Sequence, residues 1–182
     1  DAFSTDLYTG NGGTQTITNG IDLSGEGGLV WVKGRSTSYN HRLTDTVRGA
    51  TKPLYSNDTL AEGTESGITS FNSDGFSLGS AAGQNQNAAT HVAWTFRKAP
   101  KFFDVVTYTG NDVAGRTVAH DLGSVPGAII IKSRSQPRDW YMHHRGVNAQ
   151  TWTGTATGAL TLNSTAANDT GKSYFGTVSD TG

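Results

Sequence analysis

Leu29-Val30-Trp31-Val32-Lys33-Gly34-Arg35-Ser36 is echoed ninety-nine residues later by Ile129-Ile130-Ile131-Lys132-Ser133-Arg134-Ser135. Both stretches open on large apolar side chains, mostly β-branched or aromatic, and close on Lys-x-Arg-Ser. Short apolar runs of this make, bounded by turn residues, are strands rather than helices. Their near-continuous apolarity over 28–33 and 127–132 predicts strands covered on both faces. The match extends outward. Upstream, Tyr8-Thr9-Gly10-Asn11 recurs as Tyr108-Thr109-Gly110-Asn111, and Thr16-Ile17 with Leu23 recurs as Thr117-Val118 with Leu122. Downstream, each copy passes a polar turn and a strand-like segment to Arg-Gly, at Arg48-Gly49 and Arg145-Gly146. Ordered self-similarity of this length means two homologous units, expected at 1–99 and 100–182.

The first unit reads as all-β. Strands are expected at 3–9, 14–18, 28–35, 40–47, 67–71, 75–78 and 89–97, between clusters of Gly, Asn, Ser and Asp. Ser70-Phe71-Asn72-Ser73-Asp74-Gly75-Phe76 sets turn residues between two aromatics, the mark of a hairpin. His91 to Arg97 alternates, predicting one buried and one wet face. No segment carries a helical apolar stripe, and 57–66 reads as a loop. About eight short strands per hundred residues predicts a tandem β-sandwich or jelly roll. Arg97-Lys98-Ala99-Pro100-Lys101 is the expected linker.

Composition agrees with short strands and many turns: Thr, Ser, Asn and Gly supply 77 of 182 residues. The net charge of −1 provides no electrostatic footprint for nucleic acid. No run approaches the ~18 apolar residues of a membrane helix, so no membrane insertion is expected. The absence of cysteine removes disulfides, thiolate metal sites and thiol nucleophiles. The chain opens on Asp1 with no signal peptide in view, which suggests a piece of something longer. The second copy reaches Ser179-Asp180-Thr181-Gly182 about where the first begins its Gly-Phe turn, so its closing strand is missing. Either the intact chain continues, which is the expectation, or a neighbouring chain donates the strand.

The stretches 28–36, Thr46-Val47-Arg48-Gly49-Ala50-Thr51-Lys52, 69–76, 105–111, 116–123 and 160–166 resemble marine bacteriophage virion proteins. In that family, tandem concanavalin-like or laminin-G-like jelly-roll modules build tail fibres, appendages and other structural proteins. The resemblance implies a virion location, on a surface-exposed appendage or the capsid exterior, and homo-oligomeric assembly with other virion proteins. It carries no catalytic residue. The family pattern ends in a Tyr-Val-Ala-Tyr-like strand that this chain does not reach.

The residues were weighed for chemistry on their own. Glycoside hydrolysis needs two carboxylates about 5–10 Å apart. The candidates Asp22, Glu26, Asp45, Glu62, Glu65 and Asp74 fall mostly in turns, where carboxylates cap backbone. No Gly-x-Ser-x-Gly elbow is present. We expect no enzyme; a depolymerase is the third rival reading, disfavoured by the scattered carboxylates. In 139–145, period two sets Trp140, Met142 and His144 on one face and Tyr141, His143 and Arg145 on the other. Alignment of Met142 with Leu43 makes the Met face the expected core side and turns Tyr141 and His143 outward. Adjacent His143 and His144 then face opposite ways, which disfavours a metal site completed by His120. A ring beside polar side chains suits sugars, so Arg138, Tyr141, His143 and Trp152 are the candidate glycan-binding residues. Against this, Trp31, Trp94 and Trp140 are expected in the core, with Trp152 the exposed tryptophan. Concanavalin-like folds can hold Ca²⁺, but no Asp-x-Asp-x-Asp-Gly loop occurs, and Asn57-Asp58 and Asn168-Asp169 are loose donors; no cofactor is expected. Asn57-Asp58-Thr59, Asn163-Ser164-Thr165 and Asn168-Asp169-Thr170 match the glycosylation sequon, without consequence in a protein made in bacteria. The expected function is structural and adhesive, many weak host-surface glycan contacts acting together for host attachment. A capsid decoration protein and a dedicated carbohydrate-binding lectin module are the alternatives.

Overall fold

The computed structural model describes residues 1–146, 159–167 and 175. Eight strands precede residue 100: β1 Phe3–Thr9, β2 Gln15–Thr18, β3 Gly28–Gly34, β4 Arg42–Asp45, β5 Leu54–Tyr55, β6 Ile68–Asn72, β7 Gly75–Leu78 and β8 Thr90–Arg97. Among the described residues the one helical turn is α1, Ala82–Asn85. Three further strands follow: β9 Ala128–Ile131, β10 Tyr141–His144 and β11 Leu160–Thr161. They form three antiparallel sheets, in the orders β1-β8-β3-β4-β5, β2-β7-β6 and β11-β10-β9.

The first two sheets pack face to face. Val30, Val32 and Ala93 from the larger sheet meet Ile17, Ile68, Phe76 and Leu78 from the smaller, with Ile21 and Leu23 closing one end. The expected hairpin is present, Asn72 opposite Gly75 across Ser73-Asp74. Gly75 has φ +150°, and a Cβ there would run into the Ile17 carbonyl of the neighbouring strand, so only glycine lets β2 approach β7.

The Tyr-Thr-Gly-Asn motif is a dock for α1. The Tyr8 hydroxyl donates to the Gln84 carbonyl at 2.6 Å. Gly10 passes against the Gln86 carbonyl with no room for a side chain. The Asn85 amide accepts from the Asn11 N–H at 2.9 Å and donates to Asn11 Oδ1, Gly13 O and Gly79 O at 2.8–3.0 Å. In the second copy, Asn111 repeats the local turn, accepting from Val113 N–H as Asn11 accepts from Gly13 N–H. Residues 104–127 nevertheless form no strand. β1, by contrast, is paired with β8.

The sheet hairpins do repeat. Val32 pairs with Arg42, Trp31 with Leu43, Val30 with Thr44 and Leu29 with Asp45. Adding ninety-nine to every number yields the pairing of β9 with β10, from Ile131 opposite Tyr141 to Ala128 opposite His144. The third strand repeats as well, at a spacing of one hundred and six. Arg42 and Leu43 pair with Tyr55 and Leu54, as Tyr141 and Met142 pair with Thr161 and Leu160. An asparagine clips each turn. Asn57 Oδ1 accepts the His41 N–H at 2.7 Å and its amide donates to Asn40 Oδ1 at 2.9 Å. Asn163 Oδ1 accepts the Trp140 N–H at 2.8 Å and its amide donates to Asp139 Oδ1 at 2.9 Å.

Two expectations need correction. β9 is not covered on both faces: Ala128 and Ile130 are exposed, while Ile129 and Ile131 pack with Tyr141 against Ala159 and Phe175. The outer face of β8 is not wet, because residues after Pro100 fold back so that Phe103 meets Phe96, and Trp31 lies edge-on to Trp94. The segment expected as a linker carries a turn, with Ala99 bridged to Phe103 and Lys98 paired with Asp104 at 2.9 Å.

Candidate functional site

The β9–β10–β11 segment seats itself on the outer face of the five-stranded sheet. β3 and β4 turn Leu29 and Leu43 to that side, β5 adds Leu54, and Trp140 covers all three. Trp140 precedes β10, is 4% exposed, and its indole N–H donates to the Tyr55 carbonyl at 2.7 Å and to the Asp58 carbonyl at 3.1 Å. A ring that fills an apolar seat while its N–H finds carbonyls combines burial with direction. The loop between β9 and β10 adds polar contacts. Lys132 Nζ donates to the Thr59 carbonyl at 3.0 Å and closes its own loop onto the Ser133 and Gln136 carbonyls. Arg134 grips Glu62 with two N–H groups at 3.0 and 3.1 Å, while the Glu62 N–H donates to the Arg134 carbonyl at 2.8 Å.

Glu62 extends this grip inward. It accepts from Arg48 at 3.1 Å, and Arg48 is paired with Asp45 at 2.5 Å, both of these side chains nearly fully buried. Burial pushes the Glu62 carboxyl up, but the hydrogen bonds from Arg134 and Arg48 outweigh it and hold the group below the usual carboxylate range. Burial likewise draws the Lys132 ammonium below its ordinary range, against the opposing pull of Asp139 and Asp58. The result is a chain of alternating charge, Asp45–Arg48–Glu62–Arg134, running from the first copy into the second.

This network accounts for much of the carboxylate set weighed in the sequence. Asp45 and Glu62 flank one arginine, Glu65 pairs with Arg42 at 2.5 Å, and Glu26 with Arg97 at 3.3 Å. Asp22 caps the turn at Ser24 and Gly25, and Asp74 lies in the β6–β7 turn. Each of these paired carboxylates has an arginine within ion-pair distance.

The proposed sugar contacts are not grouped as the alternation suggested. Arg138 is exposed on the β9–β10 loop. Tyr141 and His143 are half-buried and lie on the packed side of their sheet, with Phe175 5.5 Å from the His143 ring. The alignment of Met142 with Leu43 holds, but in the first copy Leu43 lies on the outer face of the sandwich. The inner face holds Arg42 and Thr44, the positions of Tyr141 and His143. Trp152 lies outside the described residues, as do Asn168 and Asp169. Of the other oxygen donors, Asn57 is the clip, and Asp58 accepts from Asn40 and Leu60. Among the described residues no three His, Cys, Asp or Glu side chains converge as a metal site. His120 Nδ1 accepts the Leu122 N–H at 3.3 Å.

Where the two clipped turns come side by side, Asn57 and residues 162–165 line a shallow open groove. Sequence reading missed both the clips and this groove. The signal was there as Leu54-x-x-Asn57-x-Thr59 and Leu160-x-x-Asn163-x-Thr165, shifted by seven residues from the main repeat and read only as glycosylation sequons.

No curated protein and no solved structure matches the chain. A family model spans all of it, residues 1–182, and the chain belongs to that family, described as Domain of unknown function (DUF7483).

Proposed function

We propose that this chain is a non-enzymatic structural component of a bacteriophage virion, in which two homologous jelly-roll-like units are held rigidly for assembly and contact with host-surface glycan. The placement in a tail fibre or appendage rests on the sequence resemblance. The observation that carries the structural reading is the seam itself. Trp140, Lys132 and Arg134 lock the second copy onto the first, and the acidic groups near them act as ion-pair partners. An appendage works under load with fixed geometry, and a buried indole with a two-point hydrogen bond resists rotation between units as a flexible linker does not.

Glycan contact, in this reading, is weak per copy and multiplied by copy number. Immunogold labelling of phage particles with antibody against the chain tests the placement. Label on tails or appendages supports the proposal, label over the capsid transfers it to a decoration role, and particles without label overturn it. Binding of bead-displayed chain to host polysaccharide tests the adhesive part, with no viscosity loss expected on incubation. A fall in viscosity contradicts the non-enzymatic reading.

A further inference from the structure

The interior of the first sandwich is not uniformly apolar. Beside the cluster of Val30, Val32, Phe76 and Leu78 lie His91 and Gln84, both fully buried. His91 stacks on the Tyr8 ring at 5.2 Å, and the Tyr8 hydroxyl holds the Gln84 carbonyl, so α1 lies next to the imidazole. Thr37, half-buried, approaches the same place from the loop between β3 and β4. Neither ring nitrogen of His91 has a partner in hydrogen-bond geometry, although the Gln86 carbonyl lies near the ring. The Gln84 amide and the Thr37 hydroxyl are also unpartnered, and all of these polar atoms are shut from bulk solvent. Buried polar groups of this kind cost free energy until something small and polar reaches them.

Gly34 shows where that reach is shortest. It pairs with His91 across β3 and β8. A Cβ built on Gly34 would overlap Thr37 Oγ1 and stand 3.7 Å from His91 Nδ1. The hydroxyl and the ring nitrogen therefore face each other across the side-chain position of Gly34, yet form no direct hydrogen bond. The second copy closes the same turn differently. Ser133 holds the Gly34 position and Gln136 the Thr37 position, and Ser133 Oγ accepts the Gln136 N–H at 3.3 Å. Glycine in the first copy leaves that side-chain space to the Thr37 hydroxyl, beside the imidazole.

We infer that one water molecule is bound between Thr37 Oγ1 and His91 Nδ1 as a fixed part of the fold. A water spans such a gap with two hydrogen bonds of ordinary length. The groups select water over an ion. The Arg42 and Lys33 charges, which oppose protonation of His91, oppose a bound cation in the same way. An anion would need several donors, and a neutral imidazole offers only one N–H. Water has two hydrogens and two lone pairs, so it suits either tautomer of the ring and either direction of the hydroxyl. Bound there, it ties the β3–β4 loop to β8 through side chains, next to the backbone tie from the Arg35 N–H to the Thr90 carbonyl at 2.7 Å. The site is independent of the virion reading.

Two measurements on the whole chain test this. A crystal structure at a resolution that shows ordered solvent is expected to place a water within hydrogen-bond reach of both atoms. Oxygen-17 relaxation dispersion counts the waters held inside the protein in solution. Thr37→Val keeps the side-chain shape and removes the hydroxyl, while His91→Phe removes both ring nitrogens. Each variant is expected to hold one long-lived water fewer than the native chain, and the double variant no fewer than either single one. That non-additivity marks one shared molecule rather than two separate ones. The count is taken on variants whose near-ultraviolet circular dichroism matches the native chain, and the crystal structure decides alone if none does. A direct hydrogen bond between Thr37 and His91, a gap with no ordered water, or an unchanged count in either variant overturns the inference.

Discussion

His91 is fully buried on the inner face of β8, stacked on Tyr8 at 5.2 Å, and neither ring nitrogen meets a partner in hydrogen-bond geometry. Burial first, and then the nearby Arg42 charge, hold the ring below the ordinary imidazole range. The unfolded chain therefore binds the proton more tightly than the folded one. This contribution to stability is complete above the unfolded value of about 6.5 and declines as pH falls from there toward the lower folded value. Glu62 acts in a separate window. Its folded value is depressed, so its contribution is present above about 4.3 and disappears as pH falls through the folded value. Urea midpoints should thus drop from pH 7 to pH 5, and His91→Phe should lessen that drop. A larger drop in the variant contradicts the assignment. Asp45→Asn is the opposite case. It strips the closest countercharge from buried Arg48 and should cost about 3–5 kcal/mol of unfolding free energy.

Strands formed where period-two patterning and turn residues coincide, and these were legible from the sequence. The expected segments 3–9, 75–78 and 89–97 match β1, β7 and β8 within a residue, and the β6–β7 hairpin follows from Ser73-Asp74-Gly75. β5, β11 and α1 were not legible, because two strand residues or one helical turn are too short to show a period. Their positions depend on contacts distant in sequence: Asn57 and Asn163 hold the two short strands, and Asn85 ties α1 to the turn at Asn11. The burial of β9 was misjudged for a related reason. Three consecutive isoleucines read as covered on both faces, but coverage depends on what packs there, and only one side has Tyr141, Ala159 and Phe175. Among candidate site residues, Trp140 is buried beside Leu43's cluster as expected, while Tyr141 and His143, expected to point outward, also pack, because Ala159 and Phe175, distant in sequence, cover their side. At this scale, Asn163→Ala should orphan the Trp140 N–H and loosen β10 from β11, costing about 1–3 kcal/mol. Faster hydrogen exchange at the Leu162 amide, which bonds to Trp140 O, would register it; unchanged exchange would contradict the clip. Gly75→Ala should break the β2–β7 approach and lower the urea midpoint, and a variant with native stability would contradict the close contact with Ile17.

Across the whole molecule, the second copy is braced by the first. Repeated hairpins with identical register could have been two independent beads, yet one indole and two cations from 132–140 are committed to the surface of 54–62. Trp140→Ala empties a seat bounded by Leu29, Leu43 and Leu54 and should destabilise the chain by about 3–5 kcal/mol, with Trp140→Phe milder because most of the ring volume remains. The most direct measurement is solvent exchange of the Trp140 indole N–H, followed by proton–nitrogen NMR on the native chain. The seam predicts an indole proton protected to the level of the β3 and β8 amides, and protection that falls when Glu62→Gln weakens the Arg134 grip. An indole proton exchanging at the rate of a free side chain would contradict it, and with it the rigid joint between the copies.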